Sequence, residues 1–432
     1  MAPESVVSEG DGTRKASAAR TVLSLYALAW GLPAFVGGYA LLTMFQFHPL
    51  PVPDFSPLSH ERLARLVFDP WQNWDGQWFL RIAHLGYYPD DASTAFLPLY
   101  PSLISAFAPL FGGDTLVSGC VVSWLAFAAA LFVLWPLLRD ELGDEVALLS
   151  LVLLVTFPTA FYFHAVYTES VFLLLVSVAL LAARRGWFIA AGLAALGASL
   201  TRWTGFVIAP ALLAEAWTQA VAGEQGAPTV RLPELFSPSG RRALSKLPLT
   251  ALIGAVLPGL AFPIVQHVLL KAVGDPWAFS RAQRFWERRL MPPWVGLVDG
   301  IRVLLPGHPP YLEPLPGGFP RLPDYPGGFL EAHAYNLVAA LGGLALSVVA
   351  LRRLRPSFGV LALAGVVLPL MTPSRLQPLQ SMPRFLVVLF PLFAALALLI
   401  RGRPLVTAIA IAIGAALQGF FIARFTLWFW VA

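Results

Sequence analysis

Long apolar runs separated by short, arginine-bearing linkers constrain this chain more than any other feature. They lie near 21–45, 115–138, 146–166, 170–183, 187–201, 204–220, 247–272, 333–351, 357–372, 385–400 and 404–430, about eleven in all. A helix that crosses a bilayer needs ~20 mostly apolar residues. Only helices and closed barrels satisfy their own backbone in lipid. Composition agrees: 57% of the 432 residues are hydrophobic and 12% are charged, against roughly 25% charged residues in an ordinary soluble domain. So little charge cannot cover a water-soluble body of this size, and disorder needs the opposite balance. The expected fold is an all-α polytopic membrane protein with about 11 transmembrane helices. Residues 1–20 read as a cytoplasmic tail and 21–432 as a single integral-membrane domain. The runs at 170–183 and 187–201 are short for a crossing. They have to be sheltered by neighbours or lie where the bilayer is thinned.

Orientation follows from arginine placement. The polar tail carries Arg14, Lys15 and Arg20, and the run after it reads as a retained signal anchor with its N-terminus inside. Alternation then puts Arg139, Arg184, Arg185, Arg352, Arg353, Arg355, Arg401 and Arg403 in inner linkers. The short outer linkers hold only Arg202, Arg375 and Arg384. Eight against three is the positive-inside bias expected of short loops. Residues 95–111, broken by Pro98, Pro101 and Pro109, would invert that order if they crossed, so they read as a re-entrant or interfacial segment. Two long outer loops remain, about 46–114 and 273–332, with a cytoplasmic loop near 221–246.

Several functions are disfavoured by what is missing. The balance is 29 Lys+Arg to 24 Asp+Glu, but no basic cluster lies on a soluble module, which argues against nucleic acid. Arginine dominates, with Lys15, Lys246 and Lys271 the only lysines; either phosphate binding or GC-rich coding gives that bias. One cysteine, Cys120, excludes an internal disulfide. The seven histidines lack HxxxH or HExxH spacing, and no glycine-rich phosphate loop appears.

The stretch Trp71 to Tyr87, WQNWDGQWFLRIAHLGY, is the most informative. At helical spacing, Trp71, Trp74, Trp78, Ile82 and Leu85 share one face, and Gln72, Asn73, Gln77, Arg81 and His84 take the other. The pattern predicts an amphipathic helix at a membrane surface. Asp75 breaks it, falling among Trp71, Trp78, Phe79 and Ile82. A buried carboxylate is costly unless it is paired or neutralised. Asp75 is therefore either a helix N-cap or a functional carboxylate of the kind a general base needs.

Further charge sits at the expected outer ends of spans: Glu169 in Thr168–Glu169–Ser170, Arg202 in Thr201–Arg202–Trp203–Thr204, and Arg375 and Arg384 in TPSRLQPLQSMPR. The second loop opens with Asp275, Arg281, Arg284, Glu287, Arg288 and Arg289 alternating with aromatics. Each taken singly fits an interfacial anchor or a solvated loop face. Together they gather acid and guanidinium groups at one side of the membrane, where boundary charges are functional candidates. Arg424, near the end of the last run, fits a snorkelling side chain.

WDGQWFLRIAHLGY, AFLPLYPSL, YTESVFLLL, LTRWTG and SMPRFLVVLFPLF, in that order, resemble the PIG-V family, of the GPI mannosyltransferase 2 type with its bacterial relatives, within the GT-C membrane glycosyltransferases. The blocks cover most of residues 71–395. The resemblance implies a GT-C fold whose large first extracytoplasmic loop bears amphipathic helices. It implies inverting transfer of a hexosyl residue, most often mannosyl, from a polyprenyl-phosphate donor to an acceptor hydroxyl on the extracytoplasmic side of the plasma membrane. The acceptor would be a glycolipid, a glycan or a protein; the composition argues against a GPI acceptor. On that reading Asp75 is the catalytic base, Arg384, Arg202 and Arg375 bind the donor phosphate, and Glu169, Trp74, Trp78 and Tyr100 bind sugar or acceptor. No cofactor and no metal are expected, although Asp90–Asp91 can contribute to a metal site. The alternatives are a lipid-linked sugar flippase or transporter, a GT-C enzyme using another polyprenyl-phosphate sugar, and a non-catalytic membrane scaffold.

Overall fold

The computed structural model describes residues 5–43, 55, 60–89, 91–226, 230–305, 329–374 and 377–431. Among these residues the secondary structure is helical, with one isolated β-bridge between Arg288 and Ser374. The first half comprises α1 (Ser5–Thr43), α2 (Arg62–Phe68), α3 (Asp75–Leu85), α4 (Leu99–Phe107), α5 (Thr115–Leu142), α6 (Asp144–Val155), α7 (Glu169–Arg184), α8 (Phe188–Thr201) and α9 (Ile208–Gln225). Helices Leu249–Val256, Ala261–Val273, Phe329–Arg353, Pro356–Leu370, Phe390–Ile400 and Pro404–Thr426 make up most of the rest.

Among the described residues, six helices are long and apolar enough to cross a membrane: Ser17–Ala40, Thr115–Leu142, Trp203–Gln225, Leu249–Val273, Ala332–Arg353 and Pro404–Thr426. The other five apolar runs fold as shorter helices: α6, α7 and α8 with 12, 16 and 14 residues, and Pro356–Leu370 and Phe390–Ile400 with 15 and 11. At 1.5 Å per residue the shortest reaches about 16 Å, roughly half the hydrocarbon thickness. Their length is tolerable because they are internal: Leu151, Leu154, Val176, Leu180, Ala191, Ala195, Leu361 and Ala397 are inaccessible. The longer helices expose Phe35, Leu125, Leu252, Val338 and Ile413 around them. Helix α8 approaches Leu249–Val256 at Gly192 and Gly254, where a Cβ on either residue would overlap the other helix's backbone. Small residues permit such backbone contact between membrane helices.

The run 146–166 is not one helix. It stops at Val155, and residues 156–168 form turns and a short 3-10 segment, Ala160–Phe163, before α7 begins. This unwound stretch is buried, with Phe161, Phe163, Ala165 and Val166 fully inaccessible. Non-helical backbone at such depth needs partners, and it has them. Val166 N donates to Trp71 O (2.9 Å), Trp124 Nε1 to His164 O (2.9 Å), and Ser170 Oγ to Phe163 O (2.7 Å). Thr159 Oγ1 reaches across to Pro383 O (3.1 Å).

The surface-helix expectation for 71–87 needs correcting. The helix starts at Asp75, and its polar side is as buried as its apolar side: Gln72, Asn73, Gln77 and Arg81 are 1–2% exposed. Asn73 Nδ2 donates to Phe425 O (2.7 Å) and Arg81 pairs with Asp91 (2.8 Å), so the end of the last long helix and the loop after α3 cover the polar stripe. Residues 99–111 form α4 and a 3-10 turn, shorter than the ~20 residues of a full crossing.

His60 fastens the start of this region. Its Nδ1 lies 2.6 Å from Asp69 Oδ1 and its Nε2 lies 2.7 Å from Asp114 Oδ2, while its backbone N donates to Asp69 Oδ2 (3.1 Å). Both ring nitrogens face carboxylate oxygens, which only an imidazolium can satisfy. Burial opposes the charge, but the bonds to Asp69 and Asp114 outweigh it and raise the pKa above its ordinary value. A raised folded-state pKa contributes stability that is complete below ~6.5 and is lost as pH climbs through the higher folded value. The melting temperature of purified protein should therefore fall as pH rises across that window. His60→Gln should flatten the dependence; equal slopes for both proteins would refute the pin.

Candidate active site

Four segments far apart in sequence bring their charges to one point. The first is the start of α3. Trp74 holds a positive φ of 59°, an unusual conformation for a bulky residue, and so turns the chain sharply from the 3-10 segment Asp69–Gln72 into the helix. Its ring is wedged edge-on against Trp430, with centroids 5.1 Å apart. Asp75 follows at the first helical position. Its backbone N accepts no freedom either: it donates to Tyr167 Oη (3.1 Å), whose hydroxyl donates to Asn73 O (3.0 Å). The unwound stretch before α7 thus fixes where Asp75 points.

The second and third segments are the start of α7 and the end of α8, which carry Glu169 and Arg202. Gly205 lets the following 3-10 turn fold back on α8, since a Cβ there would overlap the backbone of Ser199. The fourth is the five-residue helix Met382–Leu386, held by Met382 N donating to Asn336 Oδ1 (3.0 Å). It presents Arg384 between two carboxylates. Arg384 Nη1 donates to Asp75 Oδ2 (2.7 Å) and its Nε to Glu169 Oε1 (2.6 Å). Glu169 Oε1 also accepts from Arg202 Nη1. The guanidinium of Arg384 lies over the Tyr167 ring at 4.8 Å, and that of Arg202 over Phe385 at 5.1 Å.

The result is a continuous chain Asp75–Arg384–Glu169–Arg202. Glu169 is fully buried at its centre, whereas the Asp75 side chain is 22% exposed. The pairing answers the sequence-level question about Asp75: its burial is compensated by Arg384, and it is not a side-chain N-cap. Asp75 Oδ1 makes no hydrogen bond to a described residue. Asp75 lines a cavity of about 160 Å³ together with Arg202, Arg384, Arg288, Trp286 and Trp430.

Of the expected site residues, Asp75, Glu169, Arg202 and Arg384 come together, and Trp74 supports the cavity from behind Trp430. Two do not join them. Trp78 is buried against Phe96, with rings stacked at 5.9 Å, and Tyr100 is inaccessible, its hydroxyl bonded to Ser123 (2.7 Å) and Gly119 O (3.2 Å). Both are core residues, so a sugar-binding role for them is corrected. Arg375 and Asp90 lie outside the described residues, and Asp91 is engaged with Arg81 and Ser93 N. Arg424 does more than snorkel: its Nε and Nη2 donate to Trp430 O (3.2 and 3.0 Å), which folds the chain's last residues back onto the site.

Trp286, Trp430, Gln283, Gln380, Ser381 and Phe385 also line the cavity without having been singled out from sequence. Arg288 is named there only among the second-loop charges, and Tyr162 and Tyr167 lie against the Arg384 guanidinium. The signal for the tyrosines was Thr156–Phe157–Pro158–Thr159, a break inside an apolar run.

Asp75, Glu169 and Arg202 all fall within one family match. Residues 44–211 match the mannosyltransferase (PIG-V) family model. Over those residues the resemblance read from the motifs is borne out and supports glycosyltransferase activity; the match does not reach the SMPRFLVVLFPLF block that carries Arg384. No curated protein sequence matches the chain. Among solved structures it is similar to ArnT from Cupriavidus metallidurans, determined with bound undecaprenyl phosphate, at 14% identity and a TM-score of 0.47, over 93% of this chain and 68% of that one. It is also similar to the oligosaccharyltransferase AglB from Archaeoglobus fulgidus, determined with an inhibitory peptide and a dolichol-phosphate, at 14% identity and a TM-score of 0.45. That match covers 94% of this chain and 56% of AglB, so the chain spans little more than half of its length.

Proposed function

We propose that the chain transfers a mannosyl residue from a polyprenyl-phosphate carrier to an acceptor hydroxyl, with inversion, at the extracytoplasmic side of the plasma membrane. The observation that carries this reading is a carboxylate, Asp75, with one oxygen that bonds no described residue, lining a cavity with guanidinium groups and aromatic walls. The acceptor oxygen attacks the anomeric carbon from the side opposite the phosphate, and its proton passes to Asp75. The bond from that carbon to the phosphate oxygen breaks, and the electron pair leaves with the polyprenyl phosphate. Positioned guanidinium groups stabilise the growing charge far better in a water-poor site than in bulk water. Arg384 and Arg202 supply that positive field. Glu169 orients both, and Trp430 and Trp286 offer ring faces to the sugar.

Sidedness is supported by the arginine bias of the linkers. Glu169 opens α7 and Arg184 closes it, so the site and the Arg184–Glu141 pair (3.0 Å) are separated by about 22 Å of helix. The exposed apolar side chains of the peripheral helices, such as Leu252 and Val338, suit an isoprenoid tail.

The test is transfer by purified protein in nanodiscs, given radiolabelled polyprenyl-phosphate mannose and a glycolipid extract from the native membrane. Labelled product is expected with the mannose donor and little with the glucose-linked one. Movement of the donor between leaflets without a transfer product would overturn the reading in favour of a flippase.

A further inference from the structure

We propose that Arg288, in the loop after helix Ala261–Val273, is the side chain that takes the phosphodiester of the lipid-linked donor. This rests on the transferase reading and departs from the assignment of that phosphate to Arg384, Arg202 or Arg375.

The argument is an accounting of donors and charge. Arg384 spends its Nε on Glu169 and an Nη on Asp75, with its face against Tyr167. Arg202 spends Nη1 on Glu169 and is only 8% exposed, with Phe385 and Phe172 against it. Within that chain two carboxylates balance two guanidinium groups in the ground state, so it offers an incoming anion no net charge until Asp75 takes the acceptor's proton. Arg288 lines the same cavity, and its guanidinium makes no hydrogen bond or ion pair to a described residue. It rests against the Phe385 ring at 5.8 Å. A partly desolvated cation without an ion-pair partner is costly, and a phosphodiester monoanion offsets that cost.

The group is also held ready. Glu287 takes a positive φ of 50°, which turns the chain at the preceding residue. Arg288 then forms a β-bridge with Ser374, its N donates to Gln283 O (3.2 Å), and Met291 N donates to Met371 O (2.9 Å). The loop is thereby strapped to the end of helix Pro356–Leu370, which limits the entropy lost when an anion binds. Burial, with the nearby Arg384 second, pulls the Arg288 pKa down to about 10, so it is charged at neutral pH. As the sugar leaves, the phosphate gains a second negative charge. Arg288 meets the first charge in the ground state, and the Arg384–Arg202 field acts on the second in the transition state.

The test compares binding of polyprenyl phosphate, without a sugar, and of the matching polyprenol to full-length protein in phosphatidylcholine nanodiscs. Wild type should prefer the phosphate by tenfold or more. Arg288→Gln should lose that preference and raise the donor KM by a similar factor at unchanged acceptor KM, and Arg288→Lys should restore part of both. If wild type shows no preference for the phosphate, the transferase reading fails with this one. If wild type prefers it and Arg288→Gln keeps the preference, only the Arg288 assignment is overturned. Competition by phosphatidylglycerol added to the nanodiscs, equal to that by polyprenyl phosphate, would assign Arg288 to bulk anionic lipid and overturn the proposal as well.

Discussion

Asp75→Asn should lower kcat for sugar transfer by about 10²–10⁴-fold, the usual contribution of a positioned general base, and leave the protein folded. The asparagine is isosteric, and its amide oxygen can still accept from Arg384 Nη1, which now bonds Asp75 Oδ2 at 2.7 Å. Its backbone N keeps Tyr167 Oη, so the entry to α3 is undisturbed. What disappears is the oxygen that takes the acceptor's proton. Removing one negative charge also leaves the cavity more positive, so donor KM should hold or fall. This split, with kcat lost and donor affinity kept, separates a base from a residue that merely binds substrate. Turnover within a few fold of wild type, at an unchanged melting temperature, would reject the role. Asp75→Glu is a useful companion: it keeps the charge but displaces it by a methylene from a backbone locked at both ends, and an intermediate rate is expected.

The site was legible where a charge interrupts apolar sequence. Asp75, Glu169, Arg202 and Arg384 each stand in such a place, and each supplies one member of the buried chain. Physics makes them conspicuous, because a charge is retained in an apolar setting only when something compensates it. Arg288 was not legible, for the opposite reason. It lies among five other charged residues in a loop, and what selects it is its place in the cavity, fixed by the bridge to Ser374. The aromatics misled in a related way. Trp78 and Tyr100 share motifs with the site, yet the fold spends them on packing. The helical period across 75–85 was correct, but the polar stripe was read as wet. Nothing local reveals that Asn73 meets the carbonyl of Phe425, 352 positions away. Of the eleven apolar runs, 170–183 and 187–201 are visibly short in the sequence, but 146–166, 357–372 and 385–400 are not, and among the described residues all five fold as short helices beside six long ones. Run length points to shelter for the two shortest runs, but where a longer apolar run unwinds, as after Val155, is decided by partners distant in sequence.

Glu169→Gln should be the most damaging single change to the fold of the site. Glu169 is inaccessible, and its Oε1 accepts from both Arg384 Nε (2.6 Å) and Arg202 Nη1. Glutamine keeps the shape and one acceptor oxygen, but removes the charge that two guanidinium groups share. Arg202 cannot turn to water, because Phe385 and Phe172 flank it and it is 8% exposed. Stripping one partner from a buried ion pair costs about 3–5 kcal/mol, a large part of a typical stability of ~5–15 kcal/mol. The melting temperature in a fixed detergent should drop sharply, and transfer should be lost. Stability and catalysis can then be separated by a second substitution. In Glu169→Gln with Arg202→Met, one stranded cation is gone and an unbranched apolar chain fills its place. Coupling between neighbours in one network predicts that the double variant melts above the single one. It should remain inactive, because Arg384 has lost the group that sets its angle to Asp75. A single variant that melts like wild type would show that the buried network does not hold this site together. A double variant that melts no higher than the single would place the damage elsewhere than the unpaired arginine.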